Sequence, residues 1–309
     1  MMTLFRGLSA FPLTPTDAKG HVDTEALARF LERIQHAGAD SIGLLGSTGG
    51  YAYLAREERK RAVQAAVECI GGKTPLVVGV GALRTDEAQA LARDAKSAGA
   101  DGLLLAPMSY VPLNEDEVFQ HFVAVAEAGE LPLCIYNNPS TTRFIFSDAL
   151  IARLSEVSNI VAVKMPLATN EDYTGELARL RSMTPDTFTI GYSGDWGAAD
   201  ALLAGCDTWY SVAAGLLAVP ALALTRAAQS GDAVESTRLN RAFEPLWTVF
   251  KRYGSFRVMF VVAEYLGLAH VQPPRPILPL PEDAGDDIRQ ALEKLEIAEH
   301  GACPVQLLD

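Results

Sequence analysis

Short apolar runs rich in β-branched residues recur along this 309-residue chain, and their number limits the fold more than any other feature. They read GLSAF (7–11), SIGLL (41–45), PLVVGV (75–80), GLLLA (102–106), PLCIY (132–136), NIVAVK (159–164), FTIGY (188–192) and TWYSV (208–212). Runs of this kind fit strands buried on both faces. The segments between them carry helical spacing, as in Leu27, Phe30, Leu31 and Ile34, which form a single apolar stripe. Three of these segments close on one formula, AGAD at 37–40, AGAD at 98–101 and AGCD at 204–207, where Gly supplies a left-handed cap ahead of the next strand. Helix starts are marked by Asp23 ahead of Ala26, by Asn114 ahead of three acidic residues, and by Ser147 with Asp148. Eight such units predict an α/β fold, a (β/α)8 TIM barrel over residues 1–225, with a doubly wound open sheet as the alternative.

Beyond 225 the strand signals stop. Residues 226–309 read as a C-terminal helical region packed on the barrel, with helices at 232–251, 256–268 and 283–298 and a Pro-rich connector, VQPPRPILPLP, before the last.

A net charge of −12 with scattered Lys and Arg offers no basic stripe for a phosphate backbone, so nucleic acid is not expected as a partner. No apolar run reaches the roughly 18–20 uncharged residues of a spanning helix, and the start MMTLFRGLSAFPLTP lacks a basic stretch followed by an apolar one. The expectation is a cytoplasmic protein away from membranes. Cys69, Cys134, Cys206 and Cys303 are far apart and form no C-x-x-C pair, which reads as buried, reduced thiols rather than a zinc site.

In barrels of this kind the chemistry gathers where the strands end. The sixth run ends on Lys164; of the chain's lysines it alone terminates an apolar strand. A lysine in a low-dielectric mouth has its ammonium disfavoured, and a neutral amine can attack a ketone to form a Schiff base. The alternative is a side chain that snorkels to solvent. After the second run, GSTGG (46–50) presents Ser47 and Thr48 on a Gly-flanked turn whose N–H groups suit a carboxylate. Tyr136 closes the fifth run and would place a phenol in the same mouth as a proton shuttle, or simply fill the core. The eighth run ends near Ser211.

GSTGG after strand 2, YNNP after strand 5 and VAVK on strand 6, together with FPLTP near the N-terminus and LAREER at 54–59, resemble the dihydrodipicolinate synthase and N-acetylneuraminate lyase family over essentially the whole chain. The resemblance implies a (β/α)8 barrel, usually a homotetramer, that condenses, cleaves or dehydrates 2-keto acids through a lysine imine without metal or organic cofactor. It implies that Lys164 forms the imine, that Tyr136 relays protons and that Ser47 and Thr48 hold the keto-acid carboxylate.

Other positions depart from the synthase pattern. The arginine that grips the aldehyde's carboxylate is replaced by Thr141, with Arg143 two residues on and expected in solvent. The tyrosine pair after strand 4 is replaced by Met108 and Ser109, with Tyr110 displaced by one. Gly50 stands where Glu is frequent, Met165 and Pro166 follow the lysine, and Ser193 and Asp195 are the polar candidates after strand 7. Thr141, Tyr110 and Ser211 join Ser47 and Thr48 as candidate substrate contacts, and Tyr110, or Ser109 with a water, is the candidate replacement for the hydroxyl relay that the resemblance places in that tyrosine pair.

The leading expectation is a class I lyase or aldolase acting on pyruvate or a 2-keto-3-deoxy acid, with pyruvate and an aldehyde or its adduct as small-molecule partners. The synthase itself, 4-hydroxy-tetrahydrodipicolinate synthase, comes second, and a non-catalytic keto-acid-binding relative third. A phosphate-binding barrel enzyme is disfavoured because SVAAGLLAVP (211–220) is a poor phosphate loop. A dimer or tetramer is expected.

Overall fold

The computed structural model describes residues 4–295. Eight parallel strands close into a barrel in chain order: β1 (Gly7–Ala10), β2 (Ser41–Leu44), β3 (Leu76–Gly79), β4 (Gly102–Leu105), β5 (Leu133–Tyr136), β6 (Ile160–Met165), β7 (Thr189–Tyr192) and β8 (Thr208–Ser211). The last pairs with the first from Gly7↔Thr208 to Ala10↔Ser211, so the open-sheet alternative is excluded. All eight apolar runs are strands.

Side chains alternate between two environments, as a pleated strand requires. Leu76 and Val78 pack outward with the helix residues Leu27, Phe30, Ala62 and Leu91. Val77, Leu104, Cys134, Ala162 and Tyr210 form a separate cluster inside the ring. Lys164, two residues after Ala162, shares that inward face.

Local signals set the helix ends. Asp23 accepts the Ala26 N–H at 3.0 Å at the head of Thr24–Ala37, and Asn114 and Glu117 form a reciprocal capping box at the head of Glu115–Gly129. Ser147 caps Asp148–Ser155 through Leu150 N–H. Gly38, Gly99 and Gly205 take φ of +81°, +100° and +93°, the left-handed turn their formula predicts.

The aspartates of that formula have a second task. Asp40, Asp101 and Asp207 accept the backbone N–H of Leu8, Leu76 and Ile190 at 2.7, 2.8 and 2.9 Å. Each aspartate at the foot of one strand thus holds the foot of its neighbour.

The eighth barrel helix, Ala218–Gln229, runs past residue 225, and Ala233–Tyr253, Ser255–Tyr265 and Glu282–Lys294 follow. The expected end of the last helix, 296–298, and Cys303 lie outside the described residues. Trp247 stacks on Phe243 with ring centroids 4.7 Å apart, and with Phe250 forms the buried seam of the long helix. No helix among the described residues is long and apolar enough to cross a membrane.

Candidate active site

Lys164 is the fifth residue of β6, in register with Tyr136 of β5 on one side and Gly191 of β7 on the other. It is only 4% exposed, so it does not snorkel to bulk water. Its nitrogen lies over three aromatic faces, 4.1 Å from the Phe11 centroid, 4.5 Å from Tyr136 and 5.5 Å from Tyr210. Among the described residues Nζ has no hydrogen bond or ion pair. The nitrogen therefore meets π faces and leaves its own valence free for a ligand atom.

Glycines make the room for this cup. A Cβ at Gly43 would sit 2.2 Å from the Phe11 ring and one at Gly191 would sit 2.7 Å from Tyr210. Below the cup Tyr210 OH meets Cys134 Sγ at 3.4 Å. Burial pushes the Tyr210 phenol well above its ordinary range and the Cys134 thiol up to about 12, so both stay protonated.

The strand 2 turn brings the hydroxyls. Leu45 is buried yet adopts φ +56°, an uncommon conformation for a branched side chain, and it swings Gly46, Ser47 and Thr48 across the mouth. Gly50 N–H closes the turn on Ser47 O at 3.1 Å. Thr48 is buried and Ser47 half-buried, and Ser47 Oγ lies 3.3 Å from Tyr136 OH. Arg59, the last residue of LAREER, braces the neighbouring strand end by donating to Gly79 O at 2.7 Å and Gly81 O at 2.9 Å.

The structure thus brings Lys164, Tyr136 and Ser47 together, with Thr48 beside them. The remaining candidates bond to other partners or to none among the described residues. Tyr110 is 96% exposed, and among the described residues its hydroxyl makes no hydrogen bond, so it stands apart from the Ser47–Tyr136 pair. Thr141 is exposed on the short helix Pro139–Thr142 and donates to Asn138 O at 3.3 Å. Arg143 is exposed. Ser211 is fully buried and accepts from Ala214 N–H at 3.0 Å.

Asp195 is likewise occupied within the fold. Its carboxylate accepts from Trp209 Nε1 at 2.8 Å and from the N–H groups of Val212 and Ala213, tying the end of β8 to the following turn. Burial raises its pKa despite those donors. Ser193 donates to Met165 O at 3.0 Å.

A cavity of about 480 Å³ opens beside Thr48, between Thr14, Gly50, Tyr53 and Phe256. Lys164 and Tyr136 do not line it; they lie deeper in the barrel. Among the described residues no cluster of three or more His, Cys, Asp or Glu is arranged to hold a metal ion.

Two parts of this site are not apparent from the sequence alone. Phe11 and Tyr210 build the cup, and Asn138 donates Nδ2–H to Tyr136 OH at 2.9 Å. The signals were present, Phe11 within FPLTP and Asn138 as the second Asn of YNNP, but only barrel closure shows what each touches.

Residues 4–295 match the model of the dihydrodipicolinate synthetase family. Among named relatives, 4-hydroxy-tetrahydrodipicolinate synthase of Alcanivorax borkumensis is 33% identical, the match covering 96% of this chain and 99% of that protein. The enzyme of the same name from Methylococcus capsulatus is 34% identical, with 75% and 79% covered. Among solved structures, dihydrodipicolinate synthase from Agrobacterium tumefaciens superposes with a TM-score of 0.94 at 58% identity, covering 95% and 99% of the two chains. Chloride-inhibited dihydrodipicolinate synthase from Acinetobacter baumannii, solved in complex with pyruvate, gives 0.87 at 28% identity, with 95% and 99% covered. These names agree better with the reading placed second from the sequence, the synthase itself, than with the lyase for another adduct placed first. The chain belongs to the dihydrodipicolinate synthetase family and is a class I, imine-forming lyase.

Proposed function

We propose that this enzyme forms an imine between Lys164 and pyruvate and joins the derived enamine to an aldehyde, the reaction type for which its relatives are named. One observation carries the reading: a buried lysine nitrogen with no hydrogen-bond partner among the described residues faces a phenol that is already hydrogen-bonded to Ser47.

The chemistry follows from those atoms. The neutral amine of Lys164 attacks C2 of pyruvate and gives a carbinolamine. The C2–O bond then breaks as the nitrogen lone pair forms C=N, and the departing oxygen takes the Tyr136 hydroxyl proton and leaves as water. The iminium withdraws electrons from C3, the phenolate recovers a proton from that carbon, and the resulting enamine attacks the aldehyde carbon, whose C=O opens and whose oxygen takes the proton back from Tyr136 as the iminium re-forms. Water finally releases the product from Lys164. Ser47 and Thr48 hold the keto-acid carboxylate, which fixes C2 against Nζ and excludes ketones without an acid group.

A second reading is favoured by Thr141. A short exposed hydroxyl stands where the synthase pattern places a guanidinium, and a carboxylate-bearing aldehyde loses its two-point grip there. On this reading the enzyme cleaves or dehydrates a 2-keto-3-deoxy acid through the same imine. The loops after β3 and β4 also expose Leu83, Tyr110 and Val111 around the mouth, which supports an oligomer.

Borohydride reduction with pyruvate, followed by intact and peptide mass measurement, tests the imine. A single adduct on Lys164 is expected, and adduct on another lysine or none would sink the reading. Carboxylate-bearing and uncharged aldehydes, offered to the pyruvate-loaded enzyme, then separate condensation from cleavage of a 2-keto-3-deoxy acid.

A further inference from the structure

Asn138 occupies the N-cap of the short helix Pro139–Thr142, where an asparagine side chain ordinarily accepts an N–H from the first turn. This one makes no such bond. Its backbone carbonyl accepts instead, from Thr141 N–H and Thr142 N–H at 3.1 and 3.0 Å and from the hydroxyls of both residues. With the turn held by the main chain, the side chain is released for other work. Its Oδ1 accepts the Ser140 hydroxyl proton at 2.7 Å, which leaves Nδ2 as the end facing Tyr136, 2.9 Å from the phenol oxygen.

The direction of that bond matters. An amide nitrogen only donates, so the Tyr136 oxygen is the acceptor and its own hydrogen is turned away from Asn138. What remains within reach is Ser47 Oγ at 3.3 Å and the space above Lys164. A hydroxyl at position 138 could point its proton either way, and a carboxylate would take the phenol's proton for itself. The phenolate formed after proton donation also keeps a charge-assisted N–H bond that strengthens as the charge develops.

We propose that Asn138, braced by Ser140, is a positioning residue that fixes Tyr136 as a proton donor toward the carbinolamine oxygen. Among the described residues it is the second group bonded to the phenol, beside Ser47. The proposal rests on the Lys164 imine reading and deepens it. In the step concerned the C2–O bond of the carbinolamine breaks, the nitrogen lone pair closes C=N, and the Tyr136 proton leaves with the oxygen as water.

The test needs no aldehyde, because deuterium exchange at the pyruvate methyl reports imine and enamine turnover alone. N138D keeps the shape and the acceptor for Ser140 but loses the N–H. Its exchange rate should fall about 10- to 150-fold, the span expected for losing one hydrogen bond to a group that becomes charged. Pyruvate at half-saturation should move by less than about threefold, since ground-state binding is untouched. The deficit should narrow as pH is lowered, because a protonated carboxyl regains a donor. S140A, which removes only the brace, should show a smaller loss in the same sense, and it covers the case in which N138D fails to fold.

Exchange by folded N138D and S140A at the unsubstituted rate would overturn the proposal, as would a loss confined to half-saturation or one that ignores pH. Borohydride trapping on the unsubstituted enzyme separates the two levels: no adduct at Lys164 removes the imine reading and this proposal with it. An adduct there with indifferent variants removes the proposal alone.

Discussion

At the scale of single residues, Lys164 and Tyr136 divide the work, and each can be removed separately. Tyr136→Phe keeps the ring face 4.5 Å from Nζ and deletes only the hydroxyl. Methyl exchange should fall by about 10²–10⁴, the usual worth of a positioned acid–base group, while borohydride still marks Lys164 slowly. Lys164→Met should abolish both signals. If Tyr136→Phe exchanges at the unsubstituted rate, the phenol is a wall and nothing more. Lys164 was legible because a charged residue ending an apolar strand conflicts with its surroundings, and such conflicts mark function more reliably than agreeable residues do. Phe11 and Tyr210 carried no such conflict; they read as core and are core, and their second role exists only because β1 closes on β8. Tyr110 is less legible for the converse reason. A phenol one place along the chain from its counterpart is close in sequence, but on an irregular loop one residue redirects the side chain, and this one faces solvent.

At the scale of elements, the AG-x-D formula explains how three of the neighbouring strand pairs are held at the foot of the barrel. The glycine half was readable, since only a left-handed residue ends those helices so abruptly. The aspartate half was not, because its partner lies one strand away. Asp207 shows the consequence most clearly: its carboxylate is 8% exposed, accepts Ile190 N–H at 2.9 Å and pairs with Arg6 at 2.7 Å. Asp207→Ala strands a strand-end N–H as well as a cation, and should cost about 1–3 kcal/mol for the lost acceptor alone. Asp207→Asn retains an acceptor and should cost less than half as much. Urea midpoints of the two variants provide the measurement, and equal losses would mean that the charge, not the hydrogen bond, holds the strand feet together. The mouth follows the same logic in reverse, for there the left-handed Leu45 is strained and its carbonyl crowds the place where a Cβ on Gly79 would sit, 1.9 Å away. Strain at the chemical end and hydrogen-bonded relief at the opposite end are a common division in this fold.

At the scale of the whole molecule, the question is whether the C-terminal helices ride on the barrel or complete it. Sequence composition placed a boundary at 225, where strand signals end, yet the helix Ala218–Gln229 crosses that point and the next, Ala233–Tyr253, buries Phe243, Leu246, Trp247 and Phe250. This apolar burial is continuous with the core between barrel and helices, since the same contiguous cluster includes Leu8, Ile34 and Trp247. Barrel and appendage should therefore unfold together, with far-ultraviolet circular dichroism and tryptophan fluorescence tracing one coincident urea transition. Trp247→Ala removes a ring stacked on Phe243 and a donor to Asn240 Oδ1 at 3.0 Å. The loss should be about 3–5 kcal/mol and should move the entire transition, helix and barrel signals alike. A variant in which helix signal melts early while the fluorescence of Trp209, buried in β8, stays native would show instead that the barrel stands alone. The distinction bears on the chemistry, because Phe256 of the appendage lines the cavity beside Thr48 and lies against the turn at Gly50. If the two parts are one cooperative unit, destabilising Trp247 leaves the folded fraction fully active. If they are not, pyruvate exchange should fail at urea concentrations where the barrel signal is still intact.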